Sequence, residues 1–203
     1  GTNTVFVDAG TAPSLCANNL SCVNLLGTIG GGVPGYSFAW EVQPDSILFS
    51  SINSPQVCPT ATTTYLLIGT DSHGCQASDT VQVLINQPPV ANIIGLNSQY
   101  CLSSPPVTLT GSPSGGTFSS DGPGMSGNTF TPNIAGVGTW HITYRVTNFS
   151  TGCSDDTTFT VIVDSLPTVT ISGFSSPYCR DASPVTLIGN PIGGTFTGPG
   201  LTG

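Results

Sequence analysis

Lysine is absent from the chain, and Arg145 and Arg180 stand alone against ten acidic residues, for a formal net charge of −8. Phosphate recognition needs clustered Lys and Arg, so this balance excludes an electrostatic nucleic-acid footprint and disfavours attraction to anionic membranes. No stretch approaches about 18 consecutive apolar residues, so no segment reads as membrane-inserted. There is no C-x-x-C or His-spaced cysteine pattern, no G-x-S-x-G and no H-E-x-x-H, which removes the common zinc-site and hydrolase signatures. His73 and His141 are isolated from each other: the first reads as a hairpin-tip residue, the second as a solvent-facing strand residue. The sequence predicts no enzymatic site and no cofactor.

Charged residues make up only 6% of the chain, but 37% is hydrophobic. Low apolar content is what leaves a chain disordered, and here the apolar residues are rich in Val, Ile, Leu and aromatics, which favour packed strands. The strongest positive feature is a repeat. Residues 89–119 recur 78 positions later at 167–197, with 16 of 31 positions identical, and Gly74-Cys75 recurs as Gly152-Cys153. A period of this length predicts a tandem array of similar domains. The expected boundaries are 1–87, 88–164 and 165–203, the last being the N-terminal part of a further repeat. With neither an initiator Met nor a leader, the chain reads as a piece of a longer protein.

Seven cysteines without metal spacing fit an oxidising, extracellular setting. The four in the first repeat allow three connectivities; repeat phase selects Cys16–Cys75, leaving Cys22–Cys58 as an additional pair. The same phase pairs Cys101 with Cys153. Cys179 corresponds to Cys101, so its partner is expected beyond Gly203. In the chain-entropy model each bridge would contribute about 4 kcal/mol.

The local pattern is strand, turn, strand. Strands are expected at TVFVDAG, CVNLLGTI, YSFAWEV, ILFSS, TTTYLLIGT and DTVQVLI, then at VANIIG, PVTLTG, GTFSS, NTFTPN, TWHITYRVTN and TTFTVIV. Evenly spaced short strands punctuated by Gly, Pro, Asn and Asp predict an all-β fold of tandem Ig-like antiparallel β-sandwiches. Trp40 sits where an immunoglobulin-type core keeps a buried Trp against its disulfide; Trp140 is expected to cover one end of its domain. Proline fixes φ in the short junctions Asn86–Pro89 and Asp164–Pro167, so the array is expected to be a semi-rigid rod. Gly122-Pro123-Gly124-Met125-Ser126-Gly127 and its recurrence at 198–203 spell G-x-G-x-x-G. Strand-like residues follow where a nucleotide fold needs a helix, so the reading is a repeated β-turn.

Recurring residues carry a family resemblance. The first repeat, with VDAG, SLC, GGGVPGYSFAW, SPQVCPTATTTYLL, GTDSHGC and DTVQVLI, resembles polycystic-kidney-disease-type (PKD) or related Ig-like modules of large secreted Bacteroidota proteins. The later repeats, with YC, PVTLTG, GGTF, GPG, AGVGTWHITYRVTN and GC, resemble Ig-like repeats of giant surface adhesins from those bacteria, gliding-motility adhesins exported by type IX secretion among them. The resemblance implies an extracellular, cell-surface, filamentous protein. It also implies O-glycosylation at Asp-Ser/Thr-apolar or -Thr tripeptides, which nominates Ser46, Thr80, Thr157 and Ser165. The eukaryotic-type sequons at Asn19 and Asn148 fit that setting less well.

Asp155, Asp156 and Asp164 read as solvated strand-end acids, since EF-hand spacing is absent, with calcium ligation by them as the alternative. The leading functional expectation is therefore a structural or adhesive stalk segment. Its partners would be neighbouring repeats, further copies in a filament, and surface polysaccharide. One alternative is a spacer or carbohydrate-binding module of a secreted hydrolase, for which exposure of Trp140, Tyr144 and Phe149 on one sheet would be the signature. Another is a subunit of a structural extracellular polymer.

Overall fold

The structure, a computed structural model, describes residues 4–11 and 14–201. Among these, strands dominate, and the one helix is the four-residue α1, Pro132–Ala135. The first nine strands are β1 (Phe6–Asp8), β2 (Ser14–Cys16), β3 (Val23–Asn24), β4 (Thr28–Gly30), β5 (Ser37–Val42), β6 (Ile47–Ser50), β7 (Gln56–Val57), β8 (Thr63–Thr70) and β9 (Gln76–Asn86). A five-stranded sheet has the order β2-β9-β8-β5-β6, while β1 pairs β4 and β3 pairs β7.

Period-two patterning explains which face is buried. Along β8, Tyr65 and Leu67 are buried, and Val81 and Val83 are buried along β9. Register places Trp40 opposite Leu67 and Tyr65 opposite Val81. These side chains form one core with Ala9, Leu25 and Val57. Trp40 is fully buried and its indole N–H donates to the Ile52 carbonyl at 3.1 Å, so the polar end of the ring is satisfied.

The chain continues through β10 (Asn92–Ile94), β11 (Gln99–Cys101), β12 (Val107–Thr108), β13 (Thr110–Ser112), β14 (Thr117–Ser120), β15 (Met125–Ser126) and β16 (Thr129–Phe130). After α1 come β17 (Gly138–Thr147), β18 (Ser154–Asp164), β19 (Thr170–Ser172) and β20 (Ile188–Asn190). The sheets are β11-β18-β17-β14, β12-β16-β15, β10-β13 and β19-β20. The expected strand NTFTPN is divided: Thr129–Phe130 is strand, but Pro132 opens α1, since proline suits the first helical turn and cannot donate to a ladder.

Two pairings depart from the expected antiparallel scheme. Strand β2 runs parallel to β9, with Cys16 opposite Asn86, and β11 runs parallel to β18, with Cys101 opposite Asp164. In each repeat the first strand leaves its antiparallel partner, passes a glycine and joins the other sheet. Gly10 and Gly95 occupy the break at φ +83° and +91°, a region an L side chain seldom adopts. The three-residue pieces SLC and QYC are too short to show alternation, which is why they carry no strand signal in the sequence.

Two compact units emerge: one of residues 1–94, 110–118 and 143–158, the other of 95–109, 119–142 and 159–203. The first holds the Trp40 core and a second cluster of Ala91, Tyr144 and Val146. In the second, Leu109, Phe130, Ile142, Val161 and Val163 are buried, and Tyr100 meets Phe130 edge-on at 5.8 Å. Among the described residues no helix is long and apolar enough to cross a membrane.

Candidate functional site

The cysteines are the most informative side chains, and their positions follow from strand direction. Strand β9 has 11 residues, with Cys75 immediately before it and Cys16 opposite its last residue, Asn86. At about 3.3 Å per residue the two cysteines lie roughly 35 Å apart. A disulfide requires Cα atoms within about 7 Å. The expected pair Cys16–Cys75 therefore cannot form. Cys101 and Cys153 flank the 11-residue β18 in the same way, which overturns the expected Cys101–Cys153 pair.

Cys16 is instead bonded to Cys153, with Cα atoms 5.5 Å apart and 137 positions between them in sequence. The bond joins a residue of the first sequence repeat to one of the second, and both ends lie within the first compact unit. Beside it the Asn18 side-chain amide donates to the Ser154 carbonyl at 2.8 Å. The expected Cys22–Cys58 bridge is present, set by the register of β3 on β7, where Val23 faces Val57. Cys75, Cys101 and Cys179 are free and exposed.

The two hairpins that carry Cys75 and Cys153 are built alike. In the first, the Asp71 N–H donates to the Cys75 carbonyl at 3.0 Å and the Gly74 N–H to the Asp71 carbonyl at 3.0 Å. In the second, the Asn148 N–H donates to the Cys153 carbonyl at 2.8 Å and the Gly152 N–H to the Asn148 carbonyl at 2.7 Å. The leading Asx side chain caps each turn: Asp71 Oδ1 accepts from the His73 and Cys75 N–H groups, both at 2.9 Å, and Asn148 Oδ1 accepts from Ser150 N–H at 3.0 Å. Asp71 is buried, and its Oδ2 also accepts from the Val33 N–H at 3.0 Å. That bond, followed by those from Cys75 and His73, holds its carboxyl below the usual aspartate range.

The edge-strand cysteines share a geometry as well. Ala17 N–H donates to the Asn86 carbonyl and Leu102 N–H to the Asp164 carbonyl, both at 2.9 Å. A tight turn follows each cysteine: the Cys16, Cys101 and Cys179 carbonyls accept from the N–H groups of Asn19, Ser104 and Ala182. Tyr100 and Tyr178, one residue before Cys101 and Cys179, accept the N–H groups of Asn97 and Ser175 at 2.9 and 2.7 Å.

The other candidate residues do not converge. Asp155 accepts the Ala91 N–H, Asp164 accepts the Gln99 side-chain amide, and Asp156 is exposed. Asp155 and Asp164 lie at opposite ends of β18, about 30 Å apart at the strand rise, so the alternative in which these acids share one calcium ion has no common site. Among the described residues no cluster of His, Cys, Asp and Glu has a metal-binding arrangement. His73 sits in the turn between β8 and β9, and His141 Nδ1 pairs with Asp121 at 2.7 Å on an exposed surface. Backbone and side-chain bonds from His141 hold the Asp121 carboxyl low.

The aromatic trio expected of a sugar-binding face is not assembled. Tyr144 is buried, Trp140 is half-buried with its indole N–H on the Gly136 carbonyl, and Phe149 alone is exposed, at 89%. Of the glycosylation candidates Ser46, Thr80 and Ser165 are exposed and Thr157 is half-buried. The first G-x-G-x-x-G forms a turn into the hairpin β15–β16, where Met125 faces Phe130; a Cβ on Gly124 would stand 2.8 Å from the Ala135 methyl, so its glycine is demanded by packing. In the recurrence, Thr202 and Gly203 lie outside the described residues.

The chain is similar to fibronectin(III)-like modules of Clostridium thermocellum CbhA, with a TM-score of 0.37 and 16% identity over 80% of this chain and 95% of that one. A Ca2+-stabilized adhesin that helps an Antarctic bacterium reach out and bind ice is similar with a TM-score of 0.46 and 16% identity, over 87% of this chain and 53% of that one. A 1.5-MDa bacterial ice-binding adhesin is similar with a TM-score of 0.42 and 15% identity, over 87% and 71% respectively. No protein-family model and no curated protein matches the chain. The ligands of those proteins belong to those proteins.

Proposed function

We propose that the chain is a structural and adhesive repeat segment of an extracellular bacterial surface protein, working as a stalk. The observation that carries this reading is the Cys16–Cys153 bridge, because a covalent bond between residues of successive repeats transmits load that noncovalent contacts alone would release. Resemblance of the repeats to Bacteroidota adhesins supports the finer reading of type IX export and a place in a gliding or adhesive filament, and the 78-residue period supports the domain boundaries 1–87, 88–164 and 165–203. Surface polysaccharide and further copies of the protein are the partners proposed. Ser46, Thr80 and Ser165 offer exposed hydroxyls to a glycosylating enzyme, and Thr157 a half-buried one.

The hydrolase-spacer alternative loses its sugar-binding form, because burial of Tyr144 removes the aromatic platform. The test is immunogold labelling of intact producing cells with an antibody to this segment. Label along surface filaments is the expected outcome. Label confined to dispersed secreted particles would overturn the stalk reading in favour of a secreted spacer.

A further inference from the structure

The seven cysteines divide into one local pair, Cys22–Cys58, and two sets defined by position. Cys16 and Cys101 end an edge strand and open a tight turn, and Cys179 opens the same turn. Cys75 and Cys153 close the same Asx-capped hairpin at the opposite end of the last strand. The one bond between the sets runs from the edge-strand cysteine of one repeat to the hairpin cysteine of the next. A bond between the two sets within one repeat is excluded for Cys16 with Cys75 and for Cys101 with Cys153 by the length of the last strand. Each free thiol is thus the positional equivalent of a bonded one: Cys101 and Cys179 of Cys16, and Cys75 of Cys153.

We propose that Cys16–Cys153 is one rung of a repeat-to-repeat disulfide ladder, in which Cys101 and Cys179 bond hairpin cysteines of following Ig-like repeats and Cys75 bonds the edge-strand cysteine of a preceding one. Exposure of Cys75, against complete burial of the bonded Cys153, leaves that thiol open to such a partner. The chemistry is thiol–disulfide exchange. Two protein thiols are oxidised to one disulfide, and a protein-disulfide oxidant of the export compartment is reduced to its dithiol, taking both hydrogens and both electrons. The ladder requires neighbouring repeats of this kind, in line or in a second copy, and does not depend on an adhesive role.

The test is disulfide mapping of the protein isolated unreduced from the cells that make it. Free thiols are first blocked with iodoacetamide, and the peptic peptides are then read by mass spectrometry. The expected result joins the Cys101 peptide to a hairpin peptide other than that of Cys153. A Cys75 partner would place the rung between copies, and a hairpin sequence from outside residues 1–203 would place it within a longer array; either upholds the ladder. Full alkylation of Cys101, or its recovery bonded to Cys153, would overturn it. A second measurement uses the 203-residue chain carrying Cys153→Ser, oxidised with glutathione disulfide. Cys16 is expected to gain no bond to Cys75 within the same chain, and recovery of that bond in the monomer would sink the proposal.

Discussion

Tyr144 lies across the backbone of Gly116. The Gly116 N–H donates to the Tyr144 phenol oxygen at 2.9 Å, while the phenol donates to the Pro113 carbonyl. A Cβ on Gly116 would stand 2.3 Å from the Arg145 carbonyl oxygen and 2.6 Å from the Tyr144 hydroxyl. On the other flank, Phe118 packs against the ring at 4.7 Å. The recurring GGTF motif is thereby explained at Gly116 and Phe118: one residue admits the tyrosine and the other packs on it.

Gly116→Ala should accordingly destabilise the fold by about 1–3 kcal/mol through overpacking, and Tyr144→Phe by about 1–3 kcal/mol through an unpaired Gly116 N–H. Urea midpoints for each variant provide the check. An unchanged midpoint for Gly116→Ala would show that the ring can give way.

Gly27 plays a comparable part in the first core. A Cβ there would meet Leu67 at 2.5 Å and Trp40 at 2.8 Å, both fully buried. Gly27→Ala is expected to cost about 1–3 kcal/mol and to shift the Trp40 fluorescence, since the indole must move to make room.

Removing the Cys22–Cys58 bridge by the double substitution to Ser releases a loop of sequence separation 36. The chain-entropy relation gives a loss of about 4 kcal/mol, against about 5 kcal/mol for Cys16–Cys153, whose separation is 137. Denaturant unfolding of the two double-serine variants should rank them in that order.

Acid sensitivity should depend on Asp71. Its carboxyl titrates below the ordinary value in the folded chain, so its contribution is present above the unfolded-chain pKa of about 3.9 and is lost as pH falls through the lowered folded value. Asp71→Asn should therefore flatten the fall in stability below about pH 4. Melting temperatures of both proteins between neutral and strongly acid pH would show it, and parallel curves would remove Asp71 from the account.

Much of the architecture was legible in the residues themselves. Alternation along Thr63–Thr70 marks Tyr65 and Leu67 as inward-facing, and the Asp and Gly of the following turn mark a hairpin. The 78-residue period relates Cys75 to Cys153, which close like hairpins, and Cys16 and Cys101 end like strands although their spacing in sequence departs from that period. The error lay in pairing them within a repeat. Sequence phase says which residues correspond; it carries no information on which end of a strand each occupies.

Strand direction decided that point, and it depends on partners distant in sequence. Cys16 faces Asn86 because a short strand crosses to the other sheet and runs parallel to the last one, a choice made by packing and by backbone hydrogen bonds. With Cys16 and Cys75 at opposite ends of an 11-residue strand, neither can reach the other, and Cys16 bonds a cysteine of the next repeat. The same dependence on long-range contacts buried Tyr144. Local patterning determined the strands, the turns and the repeat. Tertiary structure alone decided the bridge, because a disulfide is set by a distance in space that sequence separation does not encode.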